Sequence, residues 1–128
     1  MCGPDQRART EGDEMAQYLI LIYEDEKQYE QAAPEVFGQV TQAHNEFAQQ
    51  VEQHGAKLLG GAALQPTGTA TSVRSGTEVT DGPFVETKEA LGGYYLVDAP
   101  DLDTALVIGK LCPARFGGVE VRPVMTFD

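Results

Sequence analysis

The chain has 128 residues, 41% of them hydrophobic, which suits a single domain with one hydrophobic core. Its 20 acidic and 9 basic residues give a net charge of −11, which disfavours a nucleic-acid partner because a phosphate backbone would be repelled. No apolar run reaches the roughly 18 residues that a membrane-spanning helix needs, so no membrane partner is expected.

The first 14 residues are polar and precede the first apolar segment. They lack the apolar stretch of a secretory signal, and we interpret them as a disordered extension, an expression remnant or a mis-assigned start. One domain is therefore expected over residues 15–128. Of the two cysteines, Cys2 lies in this extension and Cys112 lies near a helix end, so neither a disulfide framework nor a metal site is indicated. A reducing, cytoplasmic location fits this cysteine usage best.

Residues 17–23 are almost all apolar and β-prone, which predicts a buried central strand. A loop to about residue 33 is expected next. Pro34 is well placed in the first turn of a following helix, and Gly55 is a good stop after it. The helix has an apolar stripe at three- and four-residue steps, formed by Val36, Phe37, Val40, Ala43, Phe47, Ala48 and Val51.

Two histidines lie on this helix. His44 falls inside the apolar stripe and should face the sheet, either as a hydrogen-bonded core residue or as an acid–base group at a cleft. His54 precedes Gly55 and is expected to cap helix carbonyl groups. The two are about 15 Å apart at a rise of 1.5 Å per residue, too far to share a metal ion.

The middle of the chain is rich in predicted strands. Residues 56–64 form one, in which Gly60-Gly61 indicates a bulge or close backbone packing rather than a phosphate loop. After a turn, residues 69–74 and 77–80 alternate in polarity and predict a hairpin.

Residues 80–93 form a long polar turn between two apolar segments. Long turns inside small domains are more often functional than decorative. Asp81 can accept backbone hydrogen bonds there, and Gly82 can adopt a positive φ. Alternatively the cluster from Glu86 to Glu89 is only a solvated loop, whose exposed ion pairs contribute about 0–1 kcal/mol.

The last third repeats the strand–helix–strand order. Residues 92–98 predict a strand, Asp101 is a candidate N-cap for a second helix, and Pro113 ends that helix. Residues 119–126 alternate in polarity and predict a final strand, in which Pro123 indicates an edge or strand end.

The predicted order β-α-β-(β-β)-β-α-β fits a ferredoxin-like two-layer α+β sandwich with an inserted β-hairpin. Both helices would cover one face of the sheet. Because the first strand is apolar on both faces, the other face also needs a cover. A second copy of the chain is the simplest one, so we expect a homodimer packed sheet against sheet.

The motif that begins at Thr80, Thr-Asp-Gly-Pro-Phe-Val-Glu-Thr-Lys-Glu-Ala-Leu-Gly-Gly-Tyr-Tyr, resembles the signature of the DGPF-domain branch of the YCII-related proteins. The resemblance runs from about Met15 to Phe127. It includes residues 18–23, His44, residues 64–66, Cys112-Pro113 and residues 119–124. It implies a dimeric α/β barrel built from ferredoxin-like subunits.

The resemblance implies two roles without deciding between them. The first is a dimeric small-ligand-binding or regulatory module, associated in some relatives with an extracytoplasmic-function sigma factor. The alternative is a small enzyme in which His44 and Asp81 form an acid–base pair for proton transfer, elimination or hydrolysis. Whether the chain is an enzyme is left open. The ligand in both is a small polar metabolite, bound without metal or cofactor by residues of the turn and the strand after it: Gly82, Pro83, Phe84, Glu86, Lys88 and Tyr94, with Tyr95 as an alternative to Tyr94.

Overall fold

A computed structural model describes residues 15–127 of the chain, so the interpretation of residues 1–14 lies outside the described residues. The fold is mixed α+β, with an antiparallel sheet and three helices. In chain order the elements are β1 (Ala16–Asp25), α1 (Glu26–Glu30), α2 (Glu35–Gln53), β2 (Lys57–Ala63), a 3-10 turn (Thr67–Thr69), β3 (Thr71–Arg74), β4 (Glu78–Asp81), β5 (Glu89–Ala99), α3 (Leu102–Leu111) and β6 (Gly117–Pro123).

Four strands form the main sheet in the order β2-β5-β1-β6, and every neighbouring pair is antiparallel. This strand order is compatible with the predicted ferredoxin-like sandwich. Strands β3 and β4 pair with each other in a separate two-stranded sheet, so the predicted inserted hairpin is confirmed.

The hydrophobic core lies between one face of the sheet and helices α2 and α3. Alternate residues of β1 point into it, because successive side chains of a strand leave opposite faces. Leu19, Leu21 and Tyr23 therefore lie on the other face, where they are only half-buried. The buried hydrophobic residues are Tyr18, Ile20, Ile22, Phe47, Val51, Ala56, Val97, Ala99, Ala105, Ile108 and Cys112.

The boundaries of the long elements follow their predicted signals. Helix α2 gives way at His54 to Gly55, which has φ +79°, and Asp101 caps α3 by accepting from the backbone N–H of Thr104 at 2.8 Å. The His54 ring bonds the carbonyl of Gln50 at 2.9 Å, as expected for a capping histidine. The apolar stripe of α2 is broader than its buried part, because Phe37 is 54% exposed.

The close packing of Gly61 against β5 explains why β2 has a small residue at this position. A Cβ atom on this residue would lie 2.5 Å from the carbonyl oxygen of Tyr94 and 2.7 Å from the Tyr95 ring. The register between β2 and β5 also shifts between Leu58 and Gly60. Close backbone packing and a bulge, both expected from the sequence, are thus found together.

The structure corrects several predicted boundaries. The final strand covers Gly117–Pro123 rather than residues 119–126. The segment after β1 is not all loop, because Asp25 accepts from the backbone N–H of Lys27 and caps α1. Strand β3 begins at Thr71 because a 3-10 turn takes the preceding residues. Strand β5 begins at Glu89 rather than residue 92, since β1 continues to Asp25 and provides pairing partners. Within residues 15–127, no helix is long and apolar enough to cross a membrane.

Candidate functional site

The turn predicted to be functional joins β4 to β5 and is hydrogen-bonded to the start of β3 and to the residue before it. Gly82 has φ +97°, the left-handed conformation that glycine adopts most readily. Its N–H donates to the carbonyl of Ala70 at 2.7 Å, and its own carbonyl accepts from the Ser72 hydroxyl at 2.7 Å. The turn therefore has a defined attachment at its first residues.

A second attachment joins α1 to the 3-10 turn. The two carboxylate oxygens of Glu26 accept from the backbone N–H and the hydroxyl of Thr67, both at 2.8 Å. Hydrogen bonds to a charged acceptor are stronger than neutral ones. Three chain segments, which start near Asp25, Leu64 and Asp81, are thus held around one region at the end of the sheet.

These segments enclose a cavity of about 580 Å³, which we call the turn cavity. Tyr23 and Leu91 are register partners in β1 and β5 and line one wall, so the cavity lies on the face of the sheet away from α2 and α3. Pro83, Phe84 and Val85 line another wall. None of the twelve lining residues is charged. The volume of the turn cavity lies within the usual range for small-molecule sites.

A neighbouring cavity of about 520 Å³ shares part of this wall but has a different chemistry. Its lining carries charges of both signs, from Lys27 and Lys88 and from three carboxylates. The wall that separates the two cavities consists of Thr67, Pro83, Val85, Thr87 and Ala90.

The predicted ligand-binding residues divide between these two cavities. Pro83 lines both, Phe84 lines the turn cavity, and Gly82, Glu86 and Lys88 line the charged one. The Phe84 ring also lies 4.2 Å from the guanidinium carbon of Arg74. Tyr94 is 37% exposed on the face shared with Leu21 and lies outside both linings.

His44 lies on the other side of the sheet, where α2 covers β5. Its Nδ1 atom is 2.7 Å from the hydroxyl of Tyr95, whose ring packs 4.8 Å from that of Phe47. Burial lowers the pKa of His44, although the negative charge of Glu24 acts in the opposite direction. Burial also raises the pKa of Tyr95. Both side chains are therefore neutral at pH 7.

Within the described part of the chain, Asp81 makes no hydrogen bond or ion pair with His44. It is the last residue of β4, pairs with Thr71 and is exposed. The turn that follows it contacts the face of the sheet opposite to α2. The structure brings His44 together with Tyr95 instead, and the action of His44 and Asp81 as a pair stays a prediction.

Sequence reasoning missed Glu24, Glu26, Thr67 and Tyr23. The two glutamates fall in the segment after residue 23 that was expected to be a loop. Glu24 instead accepts from the hydroxyl of Tyr29 at 2.8 Å and from a backbone N–H. Only for Glu24 did the sequence contain a local signal. This residue continues the series of every second residue of β1 whose side chain faces the core, so its inward position could have been predicted. Within residues 15–127, no cluster of three or more histidine, cysteine or carboxylate side chains is suited to hold a metal ion.

Residues 16–128 match the YCII-related domain. A protein of Rhizobium meliloti (strain 1021), described as uncharacterized protein R00369, is 36% identical over 116 residues, which cover 86% of this chain and 93% of that protein. The narrower assignment to the DGPF branch stays a prediction. A domain match over nearly the whole chain, together with this relative, places the chain in the YCII-related family.

Proposed function

We propose that this protein is a homodimeric binding module for a small, uncharged metabolite that occupies the turn cavity. The observation that carries the proposal is the uncharged lining of a cavity of about 580 Å³. Charged residues make up 23% of the chain, yet none of them lines this cavity. The hydroxyl of Tyr23 and the amide of Gln65 belong to its lining, and the hydroxyls of Thr67, Thr69 and Thr87, which already donate within the protein, can still accept hydrogen bonds.

The dimer belongs to the same proposal. Leu19, Leu21 and Leu96 lie on the face of the main sheet opposite to α2 and α3, and each is only half-buried. A second sheet packed on this face removes that apolar surface from water, at roughly 25 cal/mol per Å². Because Tyr23 and Leu91 continue this face into the turn cavity, the partner chain lies near its mouth.

Ligand-observed NMR with a library of uncharged polar fragments tests the binding site. Ala70 lines the turn cavity, and Ala70→Phe should fill it and abolish the binding of any hit. Ala33→Phe is the matched control, because Ala33 is exposed between α1 and α2 and lies outside the cavity lining. The proposal fails if no fragment binds, or if both variants bind the hits as the wild type does.

An acid–base enzyme is the second candidate, and the neutral, half-buried His44 is the observation that favours it. The predicted roles of Asp81, Glu86 and Lys88 then require a substrate that also reaches the turn, on the other face of the sheet from His44. Loss of turnover in His44→Gln, with the turnover of Asp81→Asn also reduced, would support it. Unchanged turnover of a known substrate in both variants would exclude it.

The predicted regulatory partner is separate from both candidates. Association with an extracytoplasmic-function sigma factor is tested by co-purification of the tagged protein from its own cells, with the Ala70→Phe variant alongside. A sigma factor recovered with both forms supports a regulatory role that does not depend on the turn cavity. Its absence from both preparations argues against this role.

A further inference from the structure

A third cavity, of about 300 Å³, lies beside α1 and has walls of a different kind. We call it the aromatic cavity. The rings of Tyr29 and Phe37 line it, with their centroids 6.0 Å apart and their planes tilted by 32°. Leu64 and Pro66 complete the apolar lining. Such a corner of two aromatic rings presents the electron-rich π surface that attracts organic cations.

Tyr29 is held in place from two directions. Its hydroxyl donates to Glu24 at 2.8 Å, and its ring meets that of Phe116 edge to face, with centroids 4.7 Å apart and an angle of 82°. Burial and the bond to Glu24 raise its pKa, so Tyr29 stays a neutral donor at physiological pH. Phe37, in contrast, is 54% exposed although it lines a cavity.

The same cavity is lined by three carboxylates and by no lysine or arginine. Thr67 occupies both oxygens of Glu26. The two hydrogen bonds that Glu24 accepts both go to Oε2, which leaves Oε1 as the oxygen without a described partner. Glu30 is exposed at the rim. Three like charges around one small cavity repel each other, and a bound cation would relieve that repulsion.

We propose that the aromatic cavity binds a small organic ammonium ion, with its N–H groups on Glu24 and Glu30 and its carbon body against Tyr29, Phe37 and Leu64. Charge-assisted hydrogen bonds fix the nitrogen, and the cation–π attraction and apolar burial hold the carbon body. The net charge of −11 draws cations toward the protein, although it does not select this cavity. The volume of about 300 Å³ limits the ligand to a small amine.

This inference goes beyond the proposed function, because it concerns another cavity and a cationic rather than an uncharged ligand. The aromatic cavity shares Leu64 and Ala90 with the turn cavity but none of Pro83, Phe84 or Val85. Failure of one proposal therefore leaves the other standing, provided that the variants used for each are distinct.

Titration of the ¹⁵N-labelled protein with n-pentylammonium chloride tests the proposal, with pentan-1-ol and sodium pentanoate as neutral and anionic analogues of the same shape. We expect shifts in the amides of residues 24–30 and 37, and affinity for the ammonium ion at least about tenfold above that for the alcohol. Phe37→Ser should weaken binding about fivefold or more, and Glu30→Gln about threefold. Both side chains are exposed, so these variants should fold normally.

Glu52→Gln is the matched control for charge, because Glu52 is exposed near the other end of α2 and lies outside the aromatic cavity. Its binding should stay within about twofold of the wild type. Any one of three results overturns the proposal. These are no binding of the ammonium ion at millimolar concentration, equal binding of the alcohol, and equal weakening of binding by Glu52→Gln and Glu30→Gln. The last result would mean that the bulk charge alone attracts the cation.

Discussion

The Nδ1 atom of His44 lies 2.7 Å from the hydroxyl oxygen of Tyr95, so one hydrogen bond ties the middle of α2 to β5. Because the pKa of His44 is lowered and that of Tyr95 is raised, both groups are neutral at pH 7. The tautomer of the imidazole decides whether the phenol donates to Nδ1 or Nδ1–H donates to the phenol oxygen. In either case the bond orients the histidine ring without a carboxylate partner.

Removal of the Tyr95 hydroxyl should destabilise the fold. Tyr95→Phe leaves Nδ1 of half-buried His44 without its hydrogen-bond partner, and we expect a loss of about 1 kcal/mol in the free energy of unfolding in urea. Tyr94→Phe is the matched control, because Tyr94 lies on the opposite face and is 37% exposed. Equal losses in the two variants would contradict a specific role for the His44–Tyr95 bond.

The stability of the protein should fall on mild acidification, in part because of His44. Its pKa is lowered in the folded state, so below about pH 6.5 the unfolded chain takes up a proton that the folded chain resists. The resulting loss in the free energy of unfolding is absent above that pH and grows as the pH falls toward the lowered pKa of His44. Urea unfolding at several values between pH 7.5 and 5.5 measures this, and His44→Gln should show a shallower dependence. Identical slopes would show that His44 does not contribute.

The bond pair between Glu26 and Thr67 should hold the 3-10 turn in place. Glu26→Ala removes both bonds, and we expect a loss of about 2 kcal/mol together with faster hydrogen exchange at the amides of Thr69 and Ala70. Glu30→Ala, an exposed neighbour on α1, should change neither quantity. Unchanged exchange in Glu26→Ala would show that the turn is held by other contacts.

Two adjacent glycines of β2 should respond oppositely to the same change. A Cβ atom at Gly61 would overlap the backbone of Tyr94, so Gly61→Ala should cost about 1–3 kcal/mol. At Gly60 nothing lies within 4 Å of that position, and Gly60→Ala should be neutral or stabilise by up to about 1 kcal/mol. Thermal unfolding of the two variants compares them directly. A tolerated Gly61→Ala would mean that β2 moves away from β5 at low cost.

The long elements could be predicted from sequence because their signals are local. The stripe of α2, its stop at Gly55 and the Asp101 cap all lie within a few residues of what they determine. Short α1 has no apolar stripe, and none of its residues is buried. Its existence depends on the Asp25 cap and on the bond from Glu26 to a residue 41 positions away.

The candidate site was predicted only in part, for a similar reason. Its turn stands out in composition, and the inward position of His44 follows from the helical period. The hydrogen-bond partner of His44 could not be predicted in this way. Both faces of β5 are apolar, so the alternation of its side chains leaves Tyr94 and Tyr95 equally plausible. Asp81 was paired with His44 through the resemblance, whereas the strand pairing of β4 places it in the exposed hairpin.

The uncovered face of the sheet supplies the last prediction. Leu21 lies at its centre, between Tyr94 of β5 and Glu120 of β6. In the proposed dimer, Leu21→Glu places a further negative charge of each subunit in the interface beside Glu120, and burial of such an unpaired charge is strongly unfavourable. Light scattering coupled to size-exclusion chromatography should show a dimer for the wild type and a monomer for this variant. Leu106→Glu is the control, because Leu106 is 42% exposed on α3 and should leave the dimer intact. A monomeric wild type would refute the dimer, and dissociation in the control alone would place the interface elsewhere.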